Sequence, residues 1–130
     1  MAFSKNMHIL VVDDYKTVIR IIKNLLGQIG FTNLHEAMDG TQALEILNTQ
    51  KIDFVISDWN MEPMSGYELL KKIRNSDKYY KDIPFMMVTA ETKAENVVMA
   101  KKAGVNNYII KPFNLETMKL KIGAVFNVQL

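Results

Sequence analysis

The stretch DFVISDWNMEPMSG, residues 53–66, places a carboxylate at the end of an apolar run. Residues 54–57 have the composition of a buried strand, and Asp58 follows them directly, before a loop that contains Pro63 and Gly66. A charged group at the tip of an apolar strand costs free energy unless it is paired, bound to a metal or used in chemistry. The role of Asp58 therefore depends on which other side chains reach the same place.

Short apolar runs like this one alternate along the chain with segments of helical periodicity. Continuous apolar runs are typical of strands that are covered on both faces. The predicted strands are 8–12, 33–37 (the weakest), 54–57, 85–89 and 107–110. The predicted helices are 18–29, 40–48, 67–75, 93–103 and 115–126, with Gly30 and Gly104 ending the first and the fourth. This alternation predicts an α/β fold, a doubly wound five-stranded parallel sheet with five helices, as a single domain over residues 1–130.

The composition is that of an ordinary soluble domain, since 48% of the 130 residues are apolar and 23% are charged. The absence of cysteine excludes disulfides, thiolate metal sites and a cysteine nucleophile, and it fits a reducing compartment. No apolar segment is long enough to cross a bilayer, and a net charge of +2 is too small to indicate nucleic-acid binding. We therefore expect a cytoplasmic, monomeric protein that binds neither membranes nor nucleic acid.

Charge is distributed unevenly along the chain. From Glu91 onward, six lysines stand against three glutamates, whereas the preceding ninety residues carry a net charge of −1. A solvated helix face is the simpler interpretation of this lysine-rich region, and a docking surface for an acidic partner is the alternative.

Polar side chains stand at the ends of four predicted strands. Asp13 and Asp14 follow the first strand, Asp58 follows the third, Thr89 ends the fourth and Lys111 follows the fifth. In doubly wound sheets the working crevice lies beyond these carboxyl ends. Each residue alone has an ordinary structural role, but three clustered carboxylates repel one another, and their oxygens favour Mg²⁺ over softer metals. A carboxylate beside Mg²⁺ can act as a nucleophile toward phosphorus, with Lys111 and Thr89 stabilising the phosphoryl oxygens.

The combination of these motifs is far more specific than any one of them. The motifs are LVVDD (10–14), ISDWNM (56–61), VTAE (88–91) and YIIKPF (108–113). Together they resemble receiver domains of two-component response regulators, and most closely the stand-alone, CheY-like chemotaxis regulators. The resemblance runs from about residue 7 to the end of the chain and implies a flavodoxin-like (βα)5 fold.

The resemblance implies a role for each residue near the metal. Asp58 would be the phospho-acceptor, and Mg²⁺ would be bound by Asp14 and the backbone carbonyl of Asn60, with Asp13 acting through water and Asp58 itself at the metal. Asn60 and Glu91 would flank the path of an attacking water and so set the lifetime of the phosphorylated state. The protein would promote only its own phosphorylation and dephosphorylation and would not be an enzyme in the usual sense.

The resemblance also implies how a signal would leave the site. Thr89 and Lys111 would contact the phosphoryl group, and the Lys111-Pro112 peptide bond would be cis. Movement of Thr89 would let Tyr108 turn inward and alter a partner surface that includes Lys93 and Lys121. The implied partners are a CheA-like sensor histidine kinase, a flagellar motor switch protein or another effector, and a phosphatase.

Other functions remain possible at this point. A phosphate sink would accept phosphate without a productive effector, and a regulator of a non-flagellar partner would dock elsewhere. A Mg²⁺-dependent phosphatase for small molecules is a different class, but the chain has no DxD nucleophile motif after its first strand and no cap insertion. A nucleotide-binding module would need a glycine-rich turn where DDYKT (13–17) stands.

The chain departs from well-known CheY proteins at several positions. Tyr15-Lys16 replaces Phe-Ser beside the metal carboxylates, Ile19-Arg20 replaces paired arginines, and Glu62-Pro63 shifts the loop proline by one position. Ala94 and Ala124 replace two lysines of the motor-binding face. These differences leave the phosphorylation chemistry untouched, but they leave the flagellar partner open.

Overall fold

A computed structural model describes residues 3–90 and 92–130 of the chain. Five strands alternate with five helices, so the predicted α/β fold is confirmed. The strands are β1 (His8–Val12), β2 (Asn33–Ala37), β3 (Phe54–Ser57), β4 (Phe85–Thr89) and β5 (Asn107–Ile110). The helices are α1 (Lys16–Ile29), α2 (Gly40–Thr49), α3 (Gly66–Arg74), α4 (Ala94–Ala103) and α5 (Leu115–Phe126).

The five strands form one parallel sheet in the order β2-β1-β3-β4-β5. Helices α1 and α5 pack on one face of the sheet, and α2, α3 and α4 pack on the other. Strands β3 and β4 are buried along their whole length because helices cover both faces, whereas β2 lies at an edge and is mostly half-exposed. The order of the strands brings the carboxyl ends of β1, β3, β4 and β5 side by side.

The helix ends follow from local chemistry. Gly30 adopts a φ of 122° and Gly104 a φ of 100°, which are left-handed values that favour glycine, so each stops its helix as predicted. Helix α3 begins at Gly66 and not at residue 67, because Ser65 and Glu68 form a capping box in which each side chain accepts a hydrogen bond from the other's backbone N–H. Helix α1 begins at Lys16, two residues before the apolar pattern does.

Arg74 ties the end of α4 to the rest of the fold. Its guanidinium donates two hydrogen bonds to the carbonyl of Gly104, at 3.1 and 2.9 Å, and one to the side-chain oxygen of Asn106 at 3.0 Å. A further bond reaches the carbonyl of Lys81 at 3.0 Å. The carbonyl of Gly104, the residue that follows α4, is thus met by a charged donor.

His8 and His35 form a side-chain pair at the opposite end of the sheet from the predicted site. His8 Nδ1 and His35 Nε2 lie 2.8 Å apart, and the backbone N–H of His8 donates to Asp53 at 2.9 Å. Burial, followed by the charge of His8 and of Lys23, lowers the pKa of His35. Within the described part of the chain, no helix has the length and apolar character needed to cross a membrane.

Candidate functional site

Three carboxylates meet at the carboxyl ends of β1 and β3. Val12 pairs with Ser57 in the sheet, so Asp13 and Asp58 extend from neighbouring strands, and the N–H of Asp58 donates to the carbonyl of Val12 at 2.9 Å. One oxygen from each of Asp13, Asp14 and Asp58 lies within 4.8 Å of the others. Asp13 and Asp58 are buried, whereas Asp14 faces solvent. The three residues that the sequence placed at this edge are therefore in one cluster.

Lys111 is the cation that reaches this cluster from β5. Its Nζ lies 3.2 Å from Asp13 Oδ2 and 3.5 Å from Asp58 Oδ1, and its side chain is only 23% exposed. The N–H of Lys111 donates to the carbonyl of Thr89 at 2.8 Å, and the Lys111-Pro112 peptide bond is cis, as expected. The single positive charge of Lys111 offsets only part of the electrostatic repulsion between the buried carboxylates of Asp13 and Asp58.

The electrostatics of the cluster show this imbalance. Burial, and then the charge of Asp13, raises the pKa of Asp58 to about 6, although Lys111 acts in the opposite direction. Burial also raises the pKa of Asp13, against the lowering effects of a hydrogen bond from the N–H of Tyr15 and of Lys111. A divalent cation would relieve the repulsion, and the all-oxygen donor set fits Mg²⁺. Because Asp14 is exposed, the metal could keep water ligands.

An open cleft of about 600 Å³ lies over Asp58. Tyr15, Asn60, Glu62 and Ala90 are among the residues that line it. Tyr15 is 67% exposed, so this aromatic ring stands at the rim and does not close the site. The cleft connects Asp14 and Asp58 to solvent.

The remaining predicted residues lie near the cluster or apart from it. Thr89 is fully buried at the end of β4, next to a residue that lines the cleft. The residue expected to act with Asn60 on an attacking water, Glu91, lies outside the described residues. Lys93 caps α4 and Lys121 lies on α5, so both belong to the elements beside β5 and not to the carboxylate cluster. Their assignment to a partner surface stays a prediction.

Tyr108 is buried and touches the site indirectly. Its ring is only 9% exposed and lies edge-on to the ring of Trp59, with centroids 6.4 Å apart. Trp59 directly follows Asp58 and lines the cleft. Tyr108 is therefore packed against Trp59 in this structure, and its rearrangement on phosphorylation stays a prediction.

Sequence reasoning missed the way α3 supports Asp58. The N–H of Gly66 donates to the carbonyl of Trp59 at 2.8 Å, and a Cβ added at Gly66 would overlap the carbonyl oxygen of Asp58. The hydroxyl of Ser57 donates to that same oxygen at 2.9 Å. The S-x-x-E pattern of the capping box, residues 65–68, was the signal that could have located this helix start.

Comparisons with known proteins agree with this geometry. The family model described as "Response regulator receiver domain" matches residues 9–123. The chain is 50% identical to "Chemotaxis protein CheY-3" of Vibrio cholerae over 123 residues, which cover 95% of this chain and 94% of that protein. It is 49% identical to "Chemotaxis protein CheY" of Pseudomonas aeruginosa over 120 residues, with 92% and 96% covered.

Solved structures are similar over nearly the whole fold. The chemotaxis response regulator CheY4 of Vibrio cholerae superposes with a TM-score of 0.84 at 32% identity, covering 92% of this chain and 98% of that one. A putative response regulator from Chloroflexus aurantiacus superposes with a TM-score of 0.86 at 26% identity, covering 94% and 98%.

Proposed function

The chain belongs to the response regulator receiver domain family, in its CheY-type chemotaxis branch, and we propose that a histidine kinase phosphorylates it on Asp58 in a Mg²⁺-dependent reaction. The observation that carries this proposal is the cluster of Asp13, Asp14 and Asp58 with Lys111 beneath an open cleft. The kinase would be CheA-like, and the protein would work in the cytoplasm as a regulator, without nucleic acid or membrane as a partner.

The phosphoryl transfer follows from the positions of these side chains. A carboxylate oxygen of Asp58 attacks the phosphorus of the kinase's phosphohistidine, an O–P bond forms as the N–P bond breaks, and the histidine nitrogen leaves with the electron pair. The Lys111 ammonium, already 3.5 Å from Asp58, stabilises the negative charge on the phosphoryl oxygens, and the Thr89 hydroxyl donates a hydrogen bond to them.

The metal would be held by Asp13, Asp14, Asp58 and the backbone carbonyl of Asn60. When bound, Mg²⁺ supplies the positive charge that the carboxylates lack and that the transferred phosphoryl group requires. Loss of the phosphoryl group occurs by attack of water along the same cleft, and Asn60 and Glu91 set how easily that water enters. The protein promotes these two reactions on itself alone, and a separate phosphatase would accelerate the second.

The output surface would be the face formed by α4, β5 and α5. Tyr108 lies on β5, and Lys93 and Lys121 would steer an acidic partner, mainly by raising the rate of association. Each of the three elements also exposes an apolar side chain: Met99 is 40% exposed, Ile110 is 37% exposed and Leu120 is 74% exposed. A partner that covers this face would bury these three side chains.

Uptake of phosphate tests the first half of the proposal. A small phosphodonor with Mg²⁺ should add one phosphoryl group, detected by intact mass, and a chelator should abolish the addition. Asp58→Asn should remain unmodified, whereas Asp77→Asn, a change at an exposed loop residue, should behave as the wild type. Modification of Asp58→Asn would refute the assignment of the acceptor.

Peptide binding tests the second half. An N-terminal peptide of a flagellar motor switch protein should bind more tightly when the protein carries a phosphoryl mimic. Ala94 and Ala124 remove two rim charges that motor-binding relatives use, each worth about 0.2–1 kcal/mol, so binding should be severalfold weaker than in those relatives. Equal, negligible binding in both states would favour the phosphate sink or a non-flagellar effector, which these two alanines already make reasonable candidates.

A further inference from the structure

The ring of Trp59 has aromatic neighbours on two sides. It stacks on the ring of Tyr67 with centroids 5.3 Å apart and planes only 7° from parallel, and it meets Tyr108 edge-on at 6.4 Å. Both arrangements lie within the range of favourable aromatic pairs. The ammonium of Lys71 lies 5.2 Å from the centre of the Tyr67 ring. The three rings thus form a continuous series from α3 across the site to β5.

The backbone of Trp59 is held by the same turn of helix. The N–H of Gly66 donates to the Trp59 carbonyl at 2.8 Å, and Tyr67 is the next residue of α3. Helix α3 therefore holds Trp59 by its main chain and by its side chain through two consecutive residues. Rotation of the indole ring would require that the stack with Tyr67 be broken.

The position of Trp59 matters because of its neighbours in the chain. Asp58, before it, would receive the phosphoryl group, and Asn60, after it, would supply a metal-binding carbonyl. A shift of the Trp59 backbone would displace both groups together. The ring of Trp59 also sets which surface Tyr108 packs against, since the two rings are in contact.

We propose that Tyr67 is a positioning residue of the phosphorylation site, acting through its stack with Trp59 to fix residues 58–60 and to hold the indole edge against Tyr108. This inference rests on the proposed function, because it assigns a role in phosphoryl uptake at Asp58. It requires a flat ring at position 67, and it does not require the hydroxyl group. None of the three aromatic rings takes part in the reaction itself. Tyr67 acts only by limiting where Trp59 can lie.

The test compares Tyr67→Leu with Tyr67→Phe. Leucine is a good helix former that removes the ring, whereas phenylalanine keeps the ring and is the matched control. Three properties are measured for each variant: the emission spectrum of Trp59, which is the chain's only tryptophan, the rate of phosphoryl uptake from a small phosphodonor with Mg²⁺, and the change in emission that accompanies uptake. Thermal unfolding checks that each variant is folded, and Tyr67→Met replaces the leucine variant if that one is unfolded at the assay temperature.

Tyr67→Leu should shift the resting emission, slow uptake by about two- to tenfold and reduce the emission change on uptake, as expected for loss of one aromatic pair. Tyr67→Phe should stay within about twofold of the wild type in all three properties. A leucine variant with the wild-type rate and emission would overturn the inference, and so would a phenylalanine variant as impaired as the leucine one. Failure of the wild type itself to take up phosphate would instead refute the proposed function.

Discussion

Replacement of Gly66 by alanine tests how tightly α3 is packed against the backbone of Asp58, the residue that follows β3. Gly66 is the first residue of α3, and it does not have the left-handed backbone that would itself demand glycine. A Cβ built there would overlap the carbonyl oxygen of Asp58, approach its carbonyl carbon to 2.9 Å and lie 3.1 Å from the sulfur of Met87. Two of these three atoms belong to the backbone, so no change of rotamer can remove the overlap.

Two opposing effects decide the size of the change. Alanine in a helix is favoured over glycine by about 0.5–1 kcal/mol, whereas overpacking a rigid site costs about 1–3 kcal/mol and sometimes more. Since the overlap is with backbone atoms, we expect the cost of overpacking to exceed the gain from alanine's helix preference. The free energy of unfolding should then fall by about 1–2 kcal/mol. Gly27, in α1, is the matched control because a Cβ there has nothing within 4 Å, so Gly27→Ala should gain about 0.5–1 kcal/mol.

Urea unfolding of the two variants measures the difference. With a slope of about 1–3 kcal/mol per M, the midpoint of Gly66→Ala should lie about 1 M below that of Gly27→Ala. Because the backbone of Asp58 must move, phosphate uptake in Gly66→Ala should also fall, by about 10- to 100-fold for a displacement near 1 Å. A Gly66→Ala protein as stable and as rapidly phosphorylated as Gly27→Ala would show that the fit at this contact is loose.

Three further predictions concern charge. Asp58→Asn should raise the free energy of unfolding of the metal-free protein by about 1–3 kcal/mol, because it removes a buried charge from a repulsive cluster, and it should abolish stabilisation by Mg²⁺; urea titrations with and without the metal measure both effects. Arg74→Met should cost about 2 kcal/mol and speed amide exchange at the end of α4, since the Gly104 carbonyl loses its charged donor; a variant with unchanged exchange would contradict this role. Because the pKa of His35 is lowered in the fold, the unfolded chain binds that proton more readily, so the contribution of His35 to the free energy of unfolding should fall as the pH drops through about 6.5, against the opposite contribution of Asp58, whose pKa is raised. The free energy of unfolding of the wild type minus that of His35→Gln isolates this contribution and should decrease as the pH drops; a difference that does not change with pH would contradict the role of His35.

The fold could be predicted because burial leaves a simple mark on the sequence. Strands β3 and β4, covered on both faces, appear as unbroken apolar runs, and their observed bounds are the predicted ones. The edge strand β2 is half-exposed, which is why its pattern was the weakest. The convergence of Asp13, Asp58 and Lys111 was predictable too, because the carboxyl ends of parallel strands must share one edge of the sheet.

The contacts that depend on register and loop geometry could not be predicted. His8 and His35 are diagonal neighbours on paired strands, and their contact requires the exact pairing of β1 with β2. The stack of Tyr67 on Trp59 depends on where the loop returns to the sheet, and eight residues of separation do not fix that position. Neither contact involves a residue type or spacing that marks it in the sequence.

The ion pair between Lys111 and Asp13 also bears on when the charged cluster is completed during synthesis of the chain. The two residues are separated by 98 positions, and the strand that delivers Lys111 is the last of the five to leave the ribosome. A nascent chain that has completed only β1 to β4 carries its carboxylates without the cation that partly offsets them. Contacts this distant in sequence form late and slowly, because the entropy of closing the intervening chain must be lost first. The cluster of carboxylates and lysine is therefore completed only after β5 and Lys111 have been synthesised.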